Sequence, residues 1–322
     1  MKACVYSRYG PPEVVRIEEI DKPVPGPDQL LIKVNTATVN RTDSGIRSAE
    51  YVVSRLFSGL LKPKYQVLGN EFSGVVVETG SKVTKFKAGD RLFGYNDVRF
   101  GAHAEFIIMG MNEPLAHIPP GWSFQDAAAL TEGAHYALCD IKAAGVKAGD
   151  RVMVYGATGA IGSAAVQLLN YFGAEVTAVC GPWHIDLVKK LGATTVLDYT
   201  KLSLSEMDDQ FDFVFDAVGK ISFSRIKHLL KPKGIYISTE LGKAGSNIYL
   251  AMLTPLFRGK KVLFPLPSIS QADVLFISEL ATNGNFRPLI DRIHPIDAII
   301  EAYRYVESGQ KIGNVLLDVA TI

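Results

Sequence analysis

The chain has 322 residues, 48% of them hydrophobic and 21% charged, with a formal net charge of +1. That length is about twice a typical single domain, so two units with their own cores are expected. The composition excludes disordered and fibrous chains, and acids and bases are scattered, which leaves no basic face for nucleic acid or anionic lipid.

Residues 1–8 run straight into a strand-like stretch without the pattern of a signal peptide, and no apolar run approaches the ~20 residues needed to span a bilayer. A cytoplasmic protein without a membrane partner is expected. Cys4, Cys139 and Cys180 are too few and too scattered for a disulfide framework or a close-spaced zinc knuckle.

The first third reads as β-rich. Residues 29–39 alternate, with Ile32 and Val34 set against Lys33 and Asn35, and apolar runs follow at 74–78 and 91–95. Turn chemistry at Pro25-Gly26-Pro27-Asp28, Gly80-Ser81 and Ala88-Gly89-Asp90 separates them. This pattern predicts a small or partly open β-barrel.

From Gly121 the rhythm changes to short apolar runs separated by helical patterns. Strands are predicted at 151–155, 175–179, 195–197, 213–215, 234–237 and 262–264. Between the first two, Ile161, Ala165, Leu168, Leu169 and Phe172 recur at helical spacing. Such alternation implies a doubly wound parallel sheet in an α/β protein. After Pro267 come a helix around 273–282, an extended stretch at 287–294, a helix around 298–307 ended by Gly309, and a strand at 315–319. These last elements are expected to return to the N-terminal unit. The expected domains are therefore 1–122 with 268–322, and 123–267.

The strongest local motif is Gly156-Ala157-Thr158-Gly159-Ala160-Ile161-Gly162, placed after a strand and opening a helix. Small residues there let the backbone approach a pyrophosphate, and the N–H groups of the helix N-terminus face the anion. A dinucleotide-binding turn is expected here, the alternative being a bare structural turn. At the end of the second strand, where NAD sites carry Asp or Glu for the ribose 2′-hydroxyl, the stretch is Val179-Cys180-Gly181-Pro182-Trp183-His184. No carboxylate stands in it to repel a 2′-phosphate, which points to NADPH as cofactor. His184 is either a donor to that phosphate or a solvated loop histidine.

With the N-terminal barrel, the glycine-rich turn and the phrase Lys82-Val83-Thr84-Lys85-Phe86-Lys87-Ala88-Gly89-Asp90-Arg91-Leu92-Phe93-Gly94 in register, the whole chain resembles the medium-chain dehydrogenase/reductase superfamily, nearest its quinone oxidoreductase, zeta-crystallin-like members. The resemblance implies a GroES-like β-barrel catalytic domain and a Rossmann domain. Zinc-dependent members carry a cysteine ligand and a Gly-His-Glu triplet where this chain has Asn40 and Gly69-Asn70-Glu71. An amide is a poor zinc ligand, so no metal is expected.

The resemblance places Asn40 near nicotinamide and substrate, where its amide can hold a carbonyl oxygen; the alternative is a turn or cap residue. It aligns Tyr136, in Thr131-Glu132-Gly133-Ala134-His135-Tyr136, with the family's threonine near the nicotinamide. Tyr136 and His135 are candidate donors, against helix packing. It further matches Cys180, Gly181 and Tyr199 to adenosine-phosphate positions, Ala217 and Val218 to the loop beside adenine and ribose, and Phe264 to the strand beside the nicotinamide. All could equally be sheet-end residues.

The implied chemistry is hydride transfer from NADPH to a quinone or an α,β-unsaturated carbonyl compound, in a homodimer. Three alternatives remain: an enone reductase with little quinone activity, an NADPH-binding sensor or structural protein with vestigial catalysis, and a zinc alcohol dehydrogenase with unusual ligands. The loop at 46–65 carries no readable code for a particular substrate.

Overall fold

The computed structural model describes residues 1–50 and 55–320, so residues 51–54 of the 46–65 loop, and 321 and 322, lie outside the described residues. Two compact units share the chain: Met1–Glu132 with Ile269–Ile322, and Gly133–Ser268.

The first unit is built on β1 (Lys2–Val5), β2 (Arg16–Glu19), β3 (Gln29–Val39), β4 (Glu71–Thr79), β5 (Arg91–Tyr95), β6 (Phe106–Gly110) and β7 (Leu115–His117). Helices α1 (Arg41–Ser48), α2 (Arg55–Ser58) and α3 (Phe124–Ala128) connect them. Strand β3 is central: it pairs antiparallel with both β4 and β6, and its register with β4 shifts between Leu31 and Ile32 and between Val34 and Thr36. Such irregularities bend a strand, which lets one long strand serve two neighbours and curves the sheet towards closure. Leu30 and Leu31 are both buried, because this strand is covered on both faces.

The expected boundary at 122 leaves out α3, which the structure keeps in this unit for a clear reason. The Ser73 hydroxyl donates to the Phe124 carbonyl at 2.7 Å, and the Arg91 guanidinium lies 4.3 Å from the Phe124 ring centroid.

The second unit begins within α4 (Glu132–Ala144), whose first residue belongs to the first unit. It continues through β8 (Arg151–Tyr155), α5 (Ala160–Tyr171), β9 (Glu175–Cys180), α6 (Ile185–Lys190), β10 (Thr195–Asp198), β11 (Phe211–Asp216), α7 (Phe223–Ile226), β12 (Leu230–Ser238), α8 (Ser246–Leu253) and β13 (Lys261–Leu263). The six strands are all parallel, in the order β10-β9-β8-β11-β12-β13. Strand order reverses between β8 and β11, and ligands of open α/β sheets bind outside the carboxyl ends of strands at such a switch point. Strand β12 is longer than the predicted 234–237, its first half passing through Lys233 in the left-handed region (φ 69°).

The chain then returns to the first unit through α9 (Gln271–Thr282), β14 (Ile290–Pro295), α10 (Ile299–Glu307) and β15 (Asn314–Asp318). Strand β15 lies antiparallel against β3, with Leu317 opposite Ala37. Ile299, Ala302, Tyr303 and Val306 of α10 fall on one stripe and join the core of Ile32, Val34, Phe72 and Leu317.

Candidate active site residues

In the second unit, β8 stops at Tyr155 and the chain turns through Gly156 at φ 86°, a left-handed conformation that glycine alone adopts cheaply. The Gly156 and Ala157 N–H groups both donate to the Val179 carbonyl at 3.0 Å, pinning the turn to the end of β9. A Cβ on Gly156 would meet Val218 Cγ1 at 2.5 Å, and one on Gly162 would collide with the Gly156 carbonyl. A Cβ on Gly133 would stand 2.6 Å from the Ala160 carbonyl, so α4 and α5 also pack backbone to backbone.

Gly159 caps α5 without a side-chain hydrogen bond, and Thr158, Gly159, Ala160 and Ile161 are half-buried. The first-turn N–H groups of α5 have no intrahelical acceptor and open at the switch point, so the residues present fit a dinucleotide pyrophosphate.

The remaining expected contacts gather around the same sheet end. Cys180 stands opposite Asp198 in the β9–β10 register, and the Tyr199 N–H donates to the Cys180 carbonyl at 3.0 Å. The Cys180 side chain is buried and its thiol is pushed up to about 11, by burial first and then by the Asp198 carboxylate. A buried neutral thiol offers the cofactor no charge, so what Cys180 brings to this edge is backbone. Gly181 sits against Tyr199, whose ring carbon would lie 3.4 Å from a Cβ at that glycine. Tyr199 is exposed and His184 half-buried at the start of α6.

Sequence reading missed two residues here. Asp198 brings a carboxylate to this edge after all, but it is turned onto Thr200, accepting from its N–H at 2.9 Å and its hydroxyl at 2.8 Å. Trp183, 89% exposed, follows Gly181 by two positions.

Ala217 and Val218 sit in a loop organised by buried Asp216, which accepts from the N–H groups of Val218, Lys220 and Ile221 at 3.2–3.3 Å and from the Tyr236 hydroxyl at 3.2 Å. Phe264 is half-buried one residue past β13. On α4, His135 is buried and Tyr136 half-buried, their rings 4.7 Å apart and tilted by 59°. Tyr136 is therefore the one with a route to solvent; His135 packs.

In the first unit, Asn40 caps α1. Its Oδ1 accepts from the Asp43 N–H at 2.9 Å while an Asp43 carboxylate oxygen accepts from the Asn40 N–H at 3.3 Å, a reciprocal capping box. That fixes the amide orientation, because only oxygen can accept from an N–H. The Asn40 amide nitrogen then donates to Asn70 Oδ1 at 2.7 Å and to Glu132 Oε2. Both amide hydrogens are used, so in this conformation Asn40 has no hydrogen left for a substrate carbonyl. Its observed role is the cap, together with a buried polar network; Asn70 extends that network to the Tyr95 hydroxyl at 3.1 Å.

Glu132, absent from the sequence-based candidates, is the centre of this network. Its signal was legible: it is the one charge in the run Ala127-Ala128-Ala129-Leu130-Thr131-Glu132-Gly133-Ala134. Beside it Glu71 accepts from the Thr131 N–H at 2.5 Å, the Thr131 hydroxyl at 2.8 Å, the Glu132 N–H at 2.8 Å and the Thr38 hydroxyl at 3.0 Å. Asp43 is pushed up to about 7 by burial, against the pull of hydrogen bonds from Gly69 and Asn40. Buried His103 is lowered to about 4 by desolvation. It is therefore neutral, donating from Nε2 to the Thr38 carbonyl at 2.8 Å. Among the described residues no group of three or more His, Cys, Asp or Glu side chains is arranged to hold a metal ion.

A glycine-cradled turn at the switch point of a parallel sheet, carried by a chain whose other unit is a curved, mostly antiparallel sheet, defines a two-unit nucleotide-binding oxidoreductase fold. Comparison with known proteins narrows this. The family profile described as an alcohol dehydrogenase GroES-like domain matches residues 26–120, and that described as a zinc-binding dehydrogenase matches residues 191–317. The chain is 30% identical to 2-methylene-furan-3-one reductase of Solanum lycopersicum, covering 98% of this chain and 79% of the relative. It is 29% identical to the chloroplastic NADPH-dependent alkenal/one oxidoreductase of Arabidopsis thaliana, again covering 98% and 79%. The solved quinone oxidoreductase from Coxiella burnetii superposes with a TM-score of 0.88 at 27% identity, covering 99% of each chain. The chain belongs to the medium-chain dehydrogenase/reductase superfamily, in its quinone oxidoreductase-like branch.

Proposed function

We propose that this protein is an oxidoreductase that transfers a hydride from NADPH to an α,β-unsaturated carbonyl compound or a quinone, without zinc. The observation that carries the reading is the cradle of Gly156 and Gly162 under the N-terminus of α5. When bound there, NADPH supplies the hydride; the chain supplies placement. The Gly156–Gly162 turn and the α5 N-terminus hold the pyrophosphate, Ala217, Val218 and Phe264 line the loops at the same sheet end, and Tyr136 presents a hydroxyl from α4. Asn40 serves by organising the buried network at the head of α1.

NADPH over NADH is favoured by the missing carboxylate after β9, by Asp198 being engaged with Thr200, and by His184 and Tyr199 standing at that edge. The absence of zinc chemistry rests on Asn40 and Asn70, which hydrogen-bond each other where the zinc-dependent relatives place ligands. One equivalent of bound zinc per chain in elemental analysis would overturn it.

The test is a matched titration of NADPH and NADH, followed by turnover with a panel of enones and quinones. Trp183, one of only two tryptophans, is the reporter. We expect tighter NADPH binding and NADPH oxidation with at least one acceptor class; NADH binding equally well would remove the 2′-phosphate argument. Turnover of enones alone would select the enone reductase, and tight binding without turnover would select the vestigial sensor.

A homodimer is part of the same proposal. In the second unit β13 is the edge strand of the sheet, its Val262 N–H donating to the Thr254 hydroxyl at 2.9 Å, and Tyr249, Met252, Leu256 and Phe257 near it are 62–76% exposed. An edge strand next to an exposed apolar patch fits a second copy of the same surface. No helix among the described residues is long and apolar enough to cross a membrane; a cytoplasmic location stays with the proposal and is checked by fractionation.

A further inference from the structure

We infer that the first unit carries a binding site for a small aliphatic carboxylate, built around the buried guanidinium of Arg47 and the Ser44 hydroxyl on α1. Every residue of this site lies in the first unit, so the inference is independent of the hydride-transfer reading.

Arg47 is 1% exposed and among the largest side chains that the fold encloses. Its guanidinium carbon lies 4.7 Å from the Tyr303 ring centroid, and Nη2 donates to the Glu307 carboxylate at the end of α10. That leaves Nε and Nη1 buried with no hydrogen-bond partner among the described residues. Ser44, 2% exposed, stands one turn earlier on the same face of α1, and its Oγ is likewise unpartnered there. A buried polar group is costly unless it is matched. Guanidinium nitrogens only donate and a hydroxyl can donate, so the matching group is one with acceptor oxygens.

Both side chains line a cavity of about 280 Å³, far beyond the ~10–15 Å³ that a single water requires. Its walls are tied to one another by the chain itself. The Gly10 N–H donates to the Arg47 carbonyl at 3.2 Å, and Arg304 of α10 donates to Glu13 at 2.6 and 2.9 Å. Residues 10–14, α1 and α10 therefore hold the space before any ligand arrives, which lowers the cost of binding.

Charge selects among oxyanions. Arg41 and Arg47 on this cavity are matched by Glu50 and Glu307, Arg41 lying 3.0 Å from Glu50. A phosphate dianion would stand beside two carboxylates and meet twice the repulsion of a monoanion. A single carboxylate takes charge-assisted hydrogen bonds from Arg47 and one from Ser44. Pro11 and Pro12, also on the cavity, give its short carbon stem an apolar wall.

The test is a titration of the cofactor-free full chain with acetate and propionate at constant ionic strength, with phosphate and chloride alongside. The Arg47 Nε–H signal, assigned by its loss in Arg47→Lys, should shift and saturate with either carboxylate in proton–nitrogen spectra. At a hundred times the dissociation constant the melting temperature should rise by about 2–4 °C. Ser44→Ala removes only a hydroxyl from a helix and should keep the ligand-free melting temperature and NADPH affinity. Its carboxylate affinity should fall about five- to tenfold, the loss of one hydrogen bond. A shift that never saturates, an equal response to chloride, tighter binding of phosphate, or wild-type affinity in Ser44→Ala would each overturn the inference. Absence of NADPH turnover would remove the hydride-transfer reading and leave this site standing.

Discussion

At Gly162 the structure leaves room for hydrogen and nothing larger, since any Cβ runs into the Gly156 carbonyl rather than a side chain that could swing away. Gly162→Ala should therefore shift the turn under the pyrophosphate. We expect NADPH affinity to fall at least about tenfold, with a loss of about 1–3 kcal/mol in stability from forced backbone movement. Fluorescence titration and chemical denaturation read the two effects separately; wild-type affinity would mean that the cofactor does not approach this turn. The glycine was legible in sequence because backbone approach is a local requirement. Asn40 was only half legible, because its residue type suits both a helix cap and a substrate contact, and the choice depends on Asn70 and Glu132, 30 and 92 positions away.

Helix α4 carries a second consequence. Asp140 is buried on it, and burial alone pushes its carboxyl up to about 8. Below about pH 4 the group is protonated whether the chain is folded or not. Between pH 4 and 8 the unfolded chain gives up that proton and the folded chain keeps it, so this group costs about 1.4 kcal/mol of stability per pH unit and nothing further above pH 8. Asp140→Asn removes the effect: it should match the wild type near pH 4 and exceed it by a few kcal/mol at pH 7.5. Thermal melts at both values decide, and equal melting temperatures at pH 7.5 would show that Asp140 has a partner that carries its charge. Helices were read well where periodicity was strong, as in α5 and α10. Helix α8 went unread because its apolar residues run all round it, Leu250 and Ala251 packing on the core while Tyr249, Met252 and Leu253 stay exposed, a pattern that periodicity cannot interpret.

For the whole molecule, the expected readout of the β13 edge is assembly. Replacing Leu256 and Phe257 together by aspartate should leave the fold and NADPH binding intact, since both side chains are exposed, and convert a dimer into a monomer by light scattering. A wild type that is already monomeric at micromolar concentration would sink the proposal.

The sequence by itself determined the class of the protein. Strand and helix periods, the glycine turn and the absence of a carboxylate in residues 179–184 are short-range patterns, and each is set by the backbone within a few residues of itself. Only the tertiary structure decided how the polar residues of the first unit are shared out. Folding β3 against β4 and the head of α4 brings Asn40, Asn70, Glu71 and Glu132 out of water together, and burial then forces every donor to find an acceptor. Which amide hydrogens are already spent follows from that shared burial and from no stretch of sequence alone.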